Sequence, residues 1–152
     1  SNILPATLAR LADIEQVVGV KEASGSVAQM SEVIARCPED FDVLSGDDVY
    51  TLPLLAVGGK GVISTTSNVA PAEMVSLVRA FRGGDVEGAR QAHFRLLPLF
   101  DVLFCETNPI PVKAALHAMG LVGPEIRLPL TPLTEPSRER LQVVLKELGV
   151  VG

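Results

Sequence analysis

Two rhythms of apolar and polar positions run along the chain. Leu4, Leu8 and Leu11 recur at helical spacing, and residues 4–12 read as the end of a helix. Val17-Val18-Gly19-Val20 is instead a short continuous apolar run, which predicts a strand buried on both faces, as in a parallel sheet, ending at Lys21-Glu22. Ser24-Gly25-Ser26 turns the chain, and Ser26 with Gln29 has the spacing of a capping box. Val27, Met30, Val33 and Ile34 then form one helical face to Arg36, closed by Cys37-Pro38. A second strand is predicted over Asp42-Val43-Leu44-Ser45, followed by Gly46-Asp47-Asp48. The next helix carries Pro53 in its opening part and stops at Gly58-Gly59, before a third strand over Gly61-Val62-Ile63-Ser64.

Beyond Asn68 only the helical rhythm remains. Pro71 to Phe81 is a helix stopped by Gly83-Gly84, and Asp85 caps a longer one. The apolar face of that longer helix comprises Val86, Ala89, Leu96, Leu97, Phe100 and Leu103, and Pro98 is expected to interrupt and kink it. Asn108-Pro109 reads as N-cap and first residue of a helix reaching Met119. Thr134 or Ser137 starts a last helix, with Leu141, Val144, Leu145 and Leu148 facing inward.

Strands and helices joined by short connections predict an α/β fold with a parallel sheet and right-handed crossovers. The element lengths match a partial (β/α)8 TIM barrel over residues 1–70, followed by a C-terminal helical region over residues 71–152. Three strands cannot close a barrel, and a sheet apolar on both faces would leave edges and a patch to cover. The chain also opens on Ser-Asn with no initiator Met, so it reads as a trimmed or excised piece. Apolar sheet faces are therefore expected to bury themselves against other copies, giving a homo-oligomer.

Composition narrows the function. No apolar run approaches the ~18–20 residues of a membrane span, and no signal peptide is visible. Net charge is −5, without a basic stripe, and aromatic residues make up 4% with no Trp, which argues against nucleic acid. Cys37 and Cys105 lie far apart and in no metal-ligand spacing, as two free thiols of a cytoplasmic protein would.

Lys21 is the informative position. It stands at the carboxyl end of a predicted strand, where parallel α/β folds gather their active sites. In water only about one lysine in 2,500 is neutral at pH 7. An ammonium that loses hydration at a strand end is pushed towards the neutral amine. A neutral amine attacks a ketone to form an imine, an electron sink for carbanion chemistry. The plainer reading is an ion pair between Lys21 and Glu22 or another carboxylate.

Several segments carry a more specific signal. Val18-Gly19-Val20-Lys21-Glu22-Ala23-Ser24-Gly25 resembles the Schiff-base lysine motif of the dihydrodipicolinate synthases and their relatives. Leu44-Ser45-Gly46-Asp47-Asp48 and Gly58-Gly59-Lys60-Gly61-Val62-Ile63-Ser64 follow at that family's spacing. Asn108-Pro109-Ile110-Pro111-Val112-Lys113 resembles the synthases rather than the sialic acid lyase branch, and Leu128-Pro129-Leu130-Thr131-Pro132-Leu133 completes the series. The resemblance covers essentially the whole chain, in order. It implies the last three barrel units and the helical region of a protein about twice as long. It makes Lys21 the amine that condenses with C2 of pyruvate, and Gly46 and Ile63 positions lining the pyruvate pocket. The implied reaction adds the pyruvate enamine to L-aspartate 4-semialdehyde, and cyclisation gives 4-hydroxy-tetrahydrodipicolinate for lysine and diaminopimelate synthesis. No cofactor and no metal are implied. The family's proton-relay tyrosines and threonine, and the arginine for the second substrate's carboxylate, fall in the half that these residues do not match. The fragment alone is therefore expected to be inactive.

Other positions weigh less. Asp47 and Asp48 read as helix N-caps rather than a metal pair. His93 and His117 lie in predicted helices without partner ligands, Tyr50 reads as a packing or surface residue, and Lys113 is expected to pack or to pair with a carboxylate. The rival readings are a pyruvate-dependent aldolase acting on another aldehyde, and a non-catalytic assembly module that associates through its strand edges.

Overall fold

A computed structural model describes residues 2–152. The chain folds as two compact units, one built from the stretch up to Ser64 with Val78–Ala89, the other from Thr65–Leu77 with Arg90–Gly152.

In the first unit, α1 (Pro5–Ala12), β1 (Gly19–Glu22), α2 (Val27–Arg36), β2 (Asp42–Ser45), α3 (Thr51–Ala56) and β3 (Gly61–Val62) alternate. The strands form an open parallel sheet in the order β1-β2-β3. Its register places Val20 beside Val43, Lys21 beside Leu44, and Glu22 beside Ser45, with Ser45 beside Val62. Neighbours in register share a face, and alternate residues change face. Val20 and Val43 thus point together into a core of Leu8, Met30, Val33, Phe41 and Leu54. Lys21 and Leu44 point the other way.

Helix α2 follows from its sequence. Ser26 Oγ accepts from the Gln29 backbone N–H at 3.2 Å, and Met30 and Val33 are fully buried on the inward face. Cys37, held extended before Pro38, ends the helix. The capping box is only half made, because the Gln29 side chain turns away to Asn2, Ile3 and Glu22 instead of returning to Ser26. Helix α3 is only six residues long. A 3-10 turn over Asp48–Tyr50 takes up its first residues, and Gly58, at φ +110°, turns the chain out. Asp47 makes no side-chain cap there, and Asp48 is buried.

The strands also differ from expectation. β1 begins at Gly19, not Val17, and includes Lys21 and Glu22. Val18 is 71% exposed, which corrects the reading of a run buried on both faces. β1 lies at a sheet edge, and only Val17 and Val20 of that run reach the core. β3 is reduced to Gly61–Val62, although the Ile63 N–H still donates to the Ser45 carbonyl at 2.8 Å.

The second unit is helical. Helix α5 (Val86–Val102) enters it from Arg90 and runs unbroken through Pro98, so the proline does not interrupt it. The carbonyl that loses its helical hydrogen bond is that of Phe94, four residues earlier and itself an exposed residue. Leu96, Leu99, Phe100 and Leu103 are buried, while Leu97 is exposed because it is turned about 100° from Leu96. α6 (Ile110–Ala118) packs on α7 (Glu135–Glu147), burying Ile110, Val112, Ala115, Leu141, Val144 and Leu145. Asn108 is not the N-cap of α6. The Asn108–Pro109 peptide is cis, as is Leu128–Pro129, and Pro109 itself takes the cap position. Helix α4 (Pro71–Arg82) buries Met74 and Leu77.

Thr134 caps α7 by position, but not with its side chain. Its hydroxyl and backbone N–H both donate to Glu106, the latter at 3.1 Å. Hydrogen bonds from the Thr134 and Ser137 side chains hold the Glu106 carboxyl below its ordinary value of 4.5. A depressed folded-state pKa adds stability that is complete above the unfolded value and lost as pH falls through the folded one. Wild type is therefore expected to melt slightly above Glu106→Gln at pH 7, with the gap closing as the pH drops below 4.5. Thermal melts of both proteins across that range check this. No helix of the described residues is long and apolar enough to cross a membrane.

Candidate active site

Parallel strands that end level with one another bring distant residues to one edge. Lys21 is the third residue of β1, Gly46 directly follows β2, and Ile63 directly follows β3. Two hydrogen bonds carry the ladder past the strands, from Gly46 N–H to the Glu22 carbonyl at 2.7 Å and from Ile63 N–H to the Ser45 carbonyl at 2.8 Å. The three residues singled out in sequence thus meet at the carboxyl edge of the sheet.

Gly46 and Lys21 are in contact. A Cβ on Gly46 would lie 3.0 Å from Lys21 Cε, 2.6 Å from Ala23 Cβ and 3.1 Å from the Glu22 carbonyl oxygen. The lysine stem therefore lies across the space that a side chain would fill. Lys21 is exposed and Ile63 is 47% exposed, so this face of the sheet is not covered here. The desolvation expected of the amine is not supplied by these residues, because α1 and α2 lie on the opposite face. A cavity of about 420 Å³ lies beside β1 on the side of Leu8 and Val20, with Asn2, Lys21, Glu22, Ser24 and Gln29 among its lining residues.

Glu22 does not pair with Lys21. Adjacent strand residues point to opposite faces, and the carboxylate accepts from Ser24 N–H at 3.2 Å and Gln29 Nε2 at 3.1 Å. Its residue is only 3% exposed. Sequence reading gave Glu22 no role beyond that of an ion partner. The available signal was alternation: Glu22 shares a face with Val20, so a strand buried on that face buries its carboxylate.

The remaining candidates settle elsewhere. Tyr50 packs against the first unit's core, with its ring 3.8 Å from where a Gly25 Cβ would be. His93 packs against Phe94 and Phe100, and burial pushes its imidazole pKa down. A second cavity of about 420 Å³ lies in the helical unit, with Lys113, His117 and Arg138 at its lining. Those groups are engaged: Lys113 donates to the Glu125 carbonyl rather than to a carboxylate, His117 Nδ1 meets the Val122 carbonyl, and Arg138 pairs with Glu135. Among the described residues no group of three or more His, Cys, Asp or Glu could hold a metal ion, and Cys37 and Cys105 are free.

A model of the dihydrodipicolinate synthetase family matches residues 1–148. The chain belongs to that family. The resemblance drawn from its ordered segments is borne out over nearly its full length. A 4-hydroxy-tetrahydrodipicolinate synthase of Syntrophus aciditrophicus is 58% identical over 151 residues, covering 99% of this chain and 52% of that protein. The solved dihydrodipicolinate synthase of Thermotoga maritima is 48% identical with a TM-score of 0.97, over 99% of this chain and 52% of that one. A chloride-inhibited dihydrodipicolinate synthase of Acinetobacter baumannii, solved in complex with pyruvate, is 41% identical with a TM-score of 0.95 over the same shares. The chain therefore spans about half the length of the family members it matches. Its open sheet and helices superpose on solved synthases over that half.

Proposed function

We propose that this chain contributes the imine-forming half of a class I lyase that condenses pyruvate with L-aspartate 4-semialdehyde. The observation that carries this is the convergence of Lys21, Gly46 and Ile63 at one carboxyl edge, with the lysine stem lying on a glycine. Residues 1–70 are then the last three strand–helix units of a (β/α)8 barrel, and residues 71–152 are the helical region that follows it.

In this reading the Lys21 amine attacks C2 of pyruvate. A C–N bond forms, water leaves, and the imine takes up the electrons released when a methyl proton departs. The resulting enamine carbon bonds to the aldehyde carbon of the second substrate. That substrate's own amine then displaces Lys21 in closing the ring of 4-hydroxy-tetrahydrodipicolinate. Gly46 leaves room for the imine carbon, and Ile63 brings its backbone to the bound acid. Proton transfer, typically worth 10²–10⁴ in rate, needs groups that these residues do not supply. Turnover thus belongs to the assembled barrel, which would also cover the open face and dry the amine. The same reading makes the protein a cytoplasmic homo-oligomer of lysine and diaminopimelate synthesis.

The test is pyruvate consumption by the protein that carries this chain, with L-aspartate 4-semialdehyde or other aldehydes. Consumption is expected with the semialdehyde. Consumption only with another aldehyde would make it an aldolase of different specificity, and none with any aldehyde would end the proposal.

A further inference from the structure

We infer that Glu22 is the positioning residue for Lys21, acting through the turn that joins β1 to α2; as a statement about catalysis this rests on the function proposed above. Four hydrogen bonds close a ring around that turn. Glu22 Oε1 accepts from Ser24 N–H at 3.2 Å, and Ser24 Oγ accepts from Ser26 N–H at 3.2 Å. Ser26 Oγ accepts from Gln29 N–H at 3.2 Å, and Gln29 Nε2 returns to Glu22 Oε1 at 3.1 Å. Gln29 also exchanges hydrogen bonds with Asn2 at 2.6 and 3.0 Å, tying the ring to the segment ahead of α1. The ring starts at the residue next to Lys21. It also fixes Ala23, whose Cβ borders the space over Gly46 that the lysine stem crosses.

Glu22 is costly in this place. Its other oxygen, Oε2, is buried and has no hydrogen-bond partner among the described residues. Burying an unsatisfied acceptor is destabilising, the more so when it is charged. Stability alone would favour a residue without that second oxygen. What a glutamate does supply is an acceptor at the right reach, rooted in a strand residue whose neighbour carries the amine. The strand's alternation divides the labour: the carboxylate is anchored on the buried face while the amine stands on the open one.

The test compares Glu22→Ala, Glu22→Asp and Glu22→Gln in the protein that carries this chain, with Ser24→Ala as a variant that opens the ring at an exposed turn residue. Two readouts are used. One is the rate at which borohydride traps a pyruvate adduct on Lys21. The other needs no pyruvate: acetic anhydride labelling of Lys21 relative to Lys60, an exposed lysine of the same unit, followed by peptide mapping. A general loss of stability would move both lysines together. Glu22→Ala and Glu22→Asp, whose carboxylate retracts by about 1.5 Å, are expected to slow trapping at least about tenfold. They are also expected to shift the labelling ratio at least about twofold, with Ser24→Ala moving both in the same direction by less. Glu22→Gln keeps the acceptor and should restore both readouts to within about threefold of wild type. Unchanged readouts in Glu22→Ala, or a Glu22→Gln as impaired as Glu22→Ala, would overturn the inference. If wild type traps no pyruvate while the labelling ratio still shifts, the positioning stands and the pyruvate chemistry falls.

Discussion

Lys21→Ala and Lys21→Arg variants of the protein are expected to form no borohydride-stable adduct with pyruvate, whereas wild type is labelled on Lys21. Arginine is the stricter variant because it keeps the length and the charge. A guanidinium stays protonated at any pH a protein tolerates, so it has no lone pair to offer a keto carbon. If charge at the sheet edge were all that mattered, to hold a carboxylate for instance, Lys21→Arg would retain activity. Covalent capture predicts that both variants are dead. Mass spectrometry of the reduced, digested protein decides it. An adduct on any lysine other than Lys21 would move the chemistry off β1. The substitutions themselves should be tolerated by the fold, because the residue is exposed and makes none of the core contacts.

The second large effect belongs to Gly46→Ala. One methyl group there would come within 2.6 Å of Ala23 Cβ and 3.1 Å of the Glu22 carbonyl oxygen, contacts that cannot both relax by a side-chain swing. The Lys21 stem, at 3.0 Å, is the softest of the three neighbours and would be the first to leave. A displacement of about 1 Å at a reacting group can cost roughly 10²-fold in rate. Gly46→Ala is thus expected to lower kcat for pyruvate condensation by about that factor while the amine remains present and chemically intact. Steady-state kinetics, alongside trapping with saturating pyruvate, separates this from a binding defect. A variant with wild-type kcat would mean that the lysine stem does not lie over Gly46 in the working enzyme.

Much of the architecture could be read from residue pattern alone. β2 and α2 stand where their patterns place them, because Ser26 and Pro38 mark the ends of α2 by local chemistry. The failures share a different cause. β1 was placed two residues early because a run of valines carries no record of which ones a neighbouring strand will pair. Asn108 looks like a cap because Asn-Pro commonly opens a helix, whereas α6 starts one residue later with Pro109 in the cap position. Pro98 looks like a break because the sequence alone does not say whether a helix will continue past a proline. At the candidate site Lys21 is legible from its place at a strand end, Gly46 and Ile63 only through motif resemblance, and alternation along β1 places the amine on the open face. Glu22 was passed over because its partners, Ser24 and Gln29, come together only when the turn closes.

That two neighbours on one strand face opposite ways has an evolutionary edge to it. Insertion or deletion of a single residue within β1 would turn the strand over, driving an ammonium in among Leu8, Met30 and Leu54 and leaving a carboxylate on the open face. Within this segment a change of letter is expected to disturb the fold less than a change of length. The spacing from Gly19 to the turn at Gly25 is fixed by geometry before any demand of the chemistry is heard.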